Sequence, residues 1–187
     1  MDNTWSIDDV RIMFSSFSGS RAFGRKGVSY LAGVVARRYS GYFADNVSFF
    51  NTATVTSTII QTNAISESLN DDGSYFSYQW LGYFRPTTTE TYTFYLSSDD
   101  ASYMWIGSNA RSGFTTGNAL INNGGLHGAV EVSGSVALNA GVYYPIRIQF
   151  GENEGGDICA FSFSTPTISK TITTTGRIFY NPATMGI

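Results

Sequence analysis

The sequence has little of what holds small extracellular domains together covalently. Its 187 residues include one cysteine, Cys159, so a disulfide framework and a cysteine-rich zinc site are both excluded. Charge is also scarce, because charged residues make up 13% of the chain and hydrophobic residues 42%. That balance excludes a disordered chain and a coiled coil. The length fits one folded domain with a short additional segment.

Excess positive charge and long apolar runs are absent as well. Eleven Lys and Arg residues stand against 14 Asp and Glu residues, for a net charge of -3, which argues against nucleic acid as a ligand. The longest mostly apolar run, residues 28–36, is too short to cross a bilayer, so no membrane insertion is predicted. The start MDNTWSIDDV lacks a basic region followed by an apolar stretch, which predicts no secretory signal. Release inside a virion when the host cell lyses is one way for a protein to leave a cell without a secretory signal.

What the chain does contain is typical of β structure. Aromatic residues reach 16%, and many short stretches of β-branched and aromatic residues are separated by glycine and asparagine. This pattern predicts an all-β domain, a sandwich or a barrel. The clearest alternation is Val142–Phe150, where Pro145 predicts an edge strand or a bulge. Residues 110–128 are rich in glycine and asparagine, which predicts a long surface loop that is functional or mobile.

The first 38 residues have a different pattern. Ile7, Val10, Phe14 and Phe17 recur at the spacing of one helical face. A helix this short is not stable alone in water, so it must dock on its own domain or on another chain, and both alternatives remain open. We therefore predict an N-terminal docking segment over residues 1–38, helical or extended, and a β domain over residues 39–187.

The adjacent aspartates Asp99 and Asp100 lie between two predicted strands. Neighbouring side chains on an extended strand point to opposite faces, so two neighbours share one ion only if a strained or cis peptide turns both to one side. Ca²⁺ accepts such oxygen-only ligands. The alternative is a solvated Asp-Asp turn.

Residues 78–107 extend this argument, because they contain YQWLGYFRP from Tyr78 and YTFYLSSDDASYMWIG from Tyr92. These motifs resemble the PA14 superfamily, especially the branch that includes the GLEYA and flocculin-type adhesin domains. One departure is Glu90-Thr91, where that family often has glycine. The resemblance covers about residues 39–180 and implies a PA14-like β-sandwich or barrel.

The resemblance also implies a site. In the adhesin branch, paired aspartates joined by a cis peptide bind Ca²⁺, and the ion contacts sugar hydroxyls. By this similarity Asp99 and Asp100 are metal ligands, Asn153 supplies a third side chain, and Gly155 and Asp157 supply carbonyl oxygens. The further ligand-binding candidates come from the flanking loops and are Glu152, His127, Asn122 and Asn123. The acidic character of residues 152–157 either strengthens the metal site or repels an anionic glycan.

The predicted function is binding rather than catalysis, since a serine nucleophile elbow, an HExxH motif and a phosphate-binding glycine loop are all missing from the sequence. The sequence of residues 77–107 also resembles PA14-like domains in structural proteins of tailed phages. We therefore expect a virion protein of decoration or tail-fibre type, homo-oligomeric or present in many copies. Its N-terminal segment would contact other virion proteins, and its β domain would face outward towards host surface glycans. The alternatives are a cell-surface or extracellular carbohydrate-binding adhesin, and a structural spacer without a ligand.

Overall fold

A computed structural model describes residues 29–67 and 73–185. Within these ranges the chain forms eleven strands. They are β1 Leu31–Ala32, β2 Val34–Ser40, β3 Val55–Gln61, β4 Phe76–Phe84, β5 Glu90–Asp99, β6 Ser102–Ile106, β7 Ile121–Asn123, β8 Val130–Leu138, β9 Tyr144–Glu152, β10 Ile158–Ser164 and β11 Ile178–Tyr180. Two one-turn helices, α1 Ser108–Arg111 and α2 Pro182–Met185, and two 3-10 turns at Phe49–Asn51 and Thr116–Asn118 complete the described structure.

The strands form two antiparallel sheets. The larger sheet has the order β1-β11-β4-β9-β6-β7, and β2 pairs with both β3 and β4. The smaller sheet has the order β10-β5-β8. Side chains from both sheets meet in one core, in which Trp80 and Ile148 of the large sheet join Phe94 and Phe161 of the small sheet, all at most 1% exposed. The predicted all-β sandwich is confirmed.

Strand β4 is buried along its entire length, although antiparallel sheets commonly leave one face in water. Its inner face contributes Trp80 to the main core. Two smaller apolar clusters cover the outer face. One includes Phe43, Phe50 and Trp105, and the other includes Leu81, Tyr83 and Met185. Burial on both faces explains why the run from Phe76 to Phe84 shows no clean polar alternation.

The prediction of an edge strand or a bulge at residues 142–150 is wrong, because β9 pairs in continuous register with a strand on each side. Strand β9 lies between β4 and β6 in the middle of the large sheet. Pro145 fits there because the Pro145 carbonyl accepts a hydrogen bond from Gly107 N at 2.9 Å, just beyond the last pair of β6 and β9 at Ile106. In an antiparallel ladder, N and O of one residue point to the same side. The missing N–H of Pro145 therefore faces the end of β6, where little pairing is lost.

The predicted domain boundary also needs correction. The division between residues 38 and 39 falls inside β2, and Val34, Val35 and Ala36 are at most 1% exposed. The β domain therefore begins at least as early as β1. Ile7, Val10, Phe14 and Phe17 lie outside the described residues, so the docking role of that segment stays a prediction. In the described parts of the chain, no helix is long and apolar enough to cross a membrane.

Candidate metal and ligand site

One end of the sandwich collects strand ends from both sheets. Strands β4 and β9 meet there through the pair Phe76 and Glu152. Strand β5 of the small sheet ends there at Asp99, opposite Ile158 of β10. Asp100 and the next residue then carry the chain across to β6 in the large sheet. The two segments that the sequence singled out, around residue 99 and around residue 153, are therefore neighbours.

Three carboxylates converge at this end. Asp99, Asp100 and Glu152 each place one ligand oxygen so that all three lie within 4.8 Å of one another. The peptide bond between Asp99 and Asp100 is cis, as the resemblance implies. Asp100 is 5% exposed and Glu152 is 0% exposed. Negative charges this close repel one another, and a cation or a proton relieves that repulsion.

Glu152 is the most exceptional member of the cluster. Among the described residues, neither of its carboxylate oxygens has a hydrogen-bond partner of good geometry. Burial, followed by the charges of Asp100, Asp99 and Asp157, raises the pKa of Glu152 to about 7, although the Asp100 amide nearby acts in the opposite direction. A buried carboxylate without donors is costly. Oxygen ligands of this kind suit Ca²⁺, so the donor set fits the ion that the resemblance implies.

Asp100 is fixed from both sides by backbone donors. Its Oδ1 accepts a hydrogen bond from His127 N at 2.9 Å, and its Oδ2 accepts one from Asn153 N at 3.1 Å. Asp99 is less buried, and its pKa is raised by desolvation and by the charge of Asp100, with His127 opposing. The two loops that flank the aspartates are thus tied directly to the carboxylate cluster.

Strand β7 and the loop between β7 and β8 use their predicted ligand residues mostly for internal contacts. The His127 ring lies between two carbonyl oxygens, with Nδ1 2.9 Å from Gly128 O and Nε2 3.2 Å from Asn123 O. The Asn123 amide is 5% exposed and donates to Ser98 Oγ at 2.9 Å. Asn122 is exposed, and its amide donates to Thr116 O at 3.1 Å. This loop therefore supports the cluster mainly through the His127 backbone amide.

The loop after β9 lies against the aspartates. Asn153 contributes its main chain, because its N–H binds Asp100 and its carbonyl accepts a hydrogen bond from Tyr75 N at 3.1 Å. Gly155 has a φ of 111°, which favours glycine. Asp157 carries a buried Oδ2 with no partner among the described residues, and its charge raises the pKa of Glu152. The predicted residues Asn153, Gly155 and Asp157 thus belong to one loop beside the cluster.

Two tyrosines near the site were not predicted as site residues. Tyr42 lies close enough to the acidic residues that burial, followed by the charges of Asp45, Asp100 and Glu152, raises its pKa to about 12. Tyr75 is 54% exposed, has a φ of 60° and donates its hydroxyl to the Glu154 carboxylate. Both lie outside the resembling motif of residues 78–107. Tyr42 reaches the site because it follows β2, which pairs with β4, and Tyr75 reaches it because it precedes β4, which pairs with β9.

Comparison with known proteins agrees with this architecture. Residues 76–165 match the GLEYA domain family model. The match includes Asp99, Asp100 and Glu152. A curated relative, anti-sigma-I factor RsgI3 of Acetivibrio thermocellus, is 26% identical over 104 residues, which are 56% of this chain and 15% of that protein. Because this chain spans only a small part of that relative, the activity of the whole relative does not carry over.

Solved structures show the same fold. The epithelial adhesin 9 A domain from Candida glabrata, in complex with Galβ1-4GlcNAc, aligns with a TM-score of 0.64 at 17% identity, covering 84% of this chain and 93% of that one. The PA14 domain of the MpAFP antifreeze protein aligns with a TM-score of 0.60 at 14% identity, covering 89% and 96% respectively. The predicted PA14-like fold is confirmed, and the GLEYA match supports the wider PA14 superfamily.

Proposed function

We propose that this domain binds Ca²⁺ through Asp99, Asp100 and Glu152 and uses the ion to bind a carbohydrate. The observation that carries the proposal is the Glu152 carboxylate, which is fully buried beside two aspartates and has no hydrogen-bond partner in the described structure. An acidic cluster alone is common on protein surfaces. A buried carboxylate that faces the cluster without a donor is costly unless a cation neutralises it.

The remaining residues of the site have supporting roles in this proposal. His127 and Asn153 hold the Asp100 carboxylate through their backbone amides. The Asn153 side chain and the carbonyl oxygens of Gly155 and Asp157 are proposed as further ligands. When bound, Ca²⁺ supplies a positive charge with about six to eight coordination positions, so positions remain for hydroxyl groups of a ligand.

The charge around the site favours a neutral sugar. Asp157 acts on Glu152, Asp45 acts on the neighbouring Tyr42, and Glu154 binds Tyr75. Together with the three clustered carboxylates, the negative charge near the site exceeds what one divalent cation neutralises. A sialylated or sulfated glycan would meet repulsion there. The adhesin A domains that share this fold were solved with the neutral disaccharides Galβ1-3GlcNAc and Galβ1-4GlcNAc, which makes these two sugars suitable first probes.

The test is glycan binding with and without calcium. Wild-type protein is applied to a panel of immobilised neutral mono- and disaccharides that includes both probes, in calcium and in a chelator. We expect retention in calcium only, and we expect Asp100→Asn to abolish it. Glu131→Gln is the matched control, because Glu131 is an exposed carboxylate already paired with Lys170 at 2.5 Å. Retention of Asp100→Asn equal to that of wild type would contradict the proposal.

We further propose that the protein is located in a virion, and this proposal rests only on the resemblance of its sequence to structural proteins of tailed phages. In that setting the domain is present in many copies on one particle, and avidity raises weak binding by roughly 10²–10⁴. Its partners would be other virion proteins and host surface glycans. Detection of the chain in purified particles tests this proposal, and its absence from them would favour a cell-surface or extracellular adhesin.

A further inference from the structure

We propose that Tyr75 is the aromatic platform on which the sugar ring of the bound carbohydrate stacks. This inference rests on the proposed function and adds a residue that determines which ligands fit. Tyr75 is 54% exposed, and it comes directly before the first residue of β4, which pairs with Glu152. A large exposed aromatic ring beside a candidate cation site is a surface for an apolar sugar face.

The position of Tyr75 relative to the carboxylates follows from two hydrogen bonds through one residue. Tyr75 N donates to Asn153 O at 3.1 Å, and Asn153 N donates to Asp100 Oδ2 at 3.1 Å. A single main-chain residue therefore separates the Tyr75 backbone from a carboxylate of the cluster. The Tyr75 side chain reaches the Glu154 carboxylate, which lies in the same loop as Asn153, so the ring and the cluster are held by one loop.

The ring is also held in place before any ligand binds. A positive φ is uncommon for an aromatic residue, and Tyr75 has a φ of 60°. Its carbonyl accepts a hydrogen bond from Gly41 N at 2.9 Å, and its hydroxyl binds the Glu154 carboxylate. An exposed side chain that is already ordered loses less conformational entropy on binding than a free one. Backbone conformations of this kind also concentrate at ligand sites.

Other aromatic residues near the site are not available for stacking. Tyr103 is 3% exposed and Trp105 is 0% exposed. Both belong to the apolar cluster on the outer face of the large sheet, and the Tyr103 hydroxyl is bonded to Asp45 at 2.9 Å. Tyr42 is partly buried in that cluster as well. Tyr75 combines exposure with direct attachment to the Asn153 loop.

The chemistry of a pyranose suits this pairing of a cation with a ring. A pyranose carries hydroxyl groups at its edge, which are ligands for a hard cation, and C–H groups on its faces. The C–H groups carry slight positive charge and pack against the electron-rich face of an aromatic ring. The arrangement therefore selects a terminal neutral pyranose that presents two hydroxyls to the ion and one C–H face to Tyr75.

The experiment measures calcium affinity and sugar affinity separately for three variants. Tyr75→Ala removes the ring, Tyr75→Phe keeps the ring and removes the hydroxyl, and Val142→Ala is the matched control. Val142 is an exposed apolar residue that precedes β9 at the opposite end from Glu152. The probe is whichever neutral sugar of the panel wild type retains best. Transfer of magnetisation from aromatic protons to the sugar C–H protons is recorded in parallel.

We expect Tyr75→Ala to weaken sugar binding about tenfold, which corresponds to about 1.4 kcal/mol, and to abolish the magnetisation transfer while calcium affinity stays within about twofold. Tyr75→Phe and Val142→Ala should keep sugar affinity within about threefold. Equal sugar affinity of Tyr75→Ala and wild type would overturn this inference and leave the proposed function intact. A wild-type protein that binds calcium but no sugar of the panel would overturn both.

Discussion

The two ends of the β4–β9 strand pair differ sharply in chemistry. At one end Phe84 packs against Tyr92, Phe94 and Phe163 with ring centroids 5.1–5.5 Å apart. At the other end, about 27 Å away for eight residue steps of an antiparallel strand, the pair closes on Glu152, whose buried oxygens have no partner in the described structure. One strand pair thus connects a satisfied aromatic core to an unsatisfied acidic site.

The two ends therefore contribute with opposite signs to the stability of the domain. Aromatic packing at the Phe84 end adds stability whether or not calcium is present. Three carboxylates within 4.8 Å of one another at the Glu152 end oppose folding unless a cation or a proton neutralises them. Local conflicts of this kind are expected at functional sites, whereas the rest of a fold is locally consistent. The following variants test the contrast, beginning with the largest expected effect.

Phe84→Ala should have the largest effect on stability. Loss of a fully buried phenylalanine ring lowers the free energy of unfolding by about 3–5 kcal/mol, and Phe84 is 0% exposed. Chemical denaturation in calcium and in chelator should give the same loss, because Phe84 lies at the opposite end of the strand pair from the carboxylates. A loss of unfolding free energy seen only in calcium or only in chelator would contradict the view that the two ends of the strand pair contribute independently.

Glu152→Gln should raise the free energy of unfolding in chelator and weaken metal binding in calcium. Without calcium at about pH 8, above the folded-state pKa of about 7 for Glu152, the amide removes a buried negative charge and offers donors to Asp99 and Asp100, so the free energy of unfolding should rise by about 1 kcal/mol. With calcium, loss of a charged ligand should weaken metal binding about tenfold or more. Paired denaturation and calorimetric titrations check both signs. A variant that is destabilised in chelator would indicate that Glu152 has a stabilising partner.

Lys170→Met should have the smallest effect. Lys170 pairs with Glu131 at 2.5 Å, but the two side chains are 44% and 40% exposed. Exposed ion pairs contribute roughly 0–1 kcal/mol, so the midpoint of denaturation should hardly change. A large loss of unfolding free energy would show that the exposed Glu131 carboxylate depends on a positive charge for stability, as is proposed for Glu152.

The sequence alone predicted the motif-bearing half of this structure well. Gly82 illustrates why, because a Cβ there would lie 2.7 Å from Phe179 O and 2.7 Å from Val34 Cγ1. The sequence shows that the motif has a glycine at this position, and the structure gives the reason, which is the close approach of neighbouring strands. Asp99 and Asp100 were found for a similar reason, since both lie inside one continuous motif.

Residues that reach the site through strand pairing were harder to predict. Glu152 was predicted as part of a polar loop, but β9 continues to that residue and buries it. Tyr75 bonds to Glu154, 79 residues away, and no local pattern records such a contact. The predicted position of β9 was wrong because a proline within a strand favours an edge. In the structure β6 ends beside Pro145, so a central strand tolerates the missing N–H. Local chemistry is readable from sequence, whereas partners across a sheet are not.

The most direct measurement of the central claim is thermal or chemical unfolding of wild type across a calcium titration, with Asp100→Asn beside it. A ligand that binds only the folded state adds about 2.7 kcal/mol of stability at 100 times its Kd. We expect wild-type stability to rise continuously with calcium and Asp100→Asn to show no such rise. Wild-type stability that is equal in saturating calcium and in chelator would contradict the account.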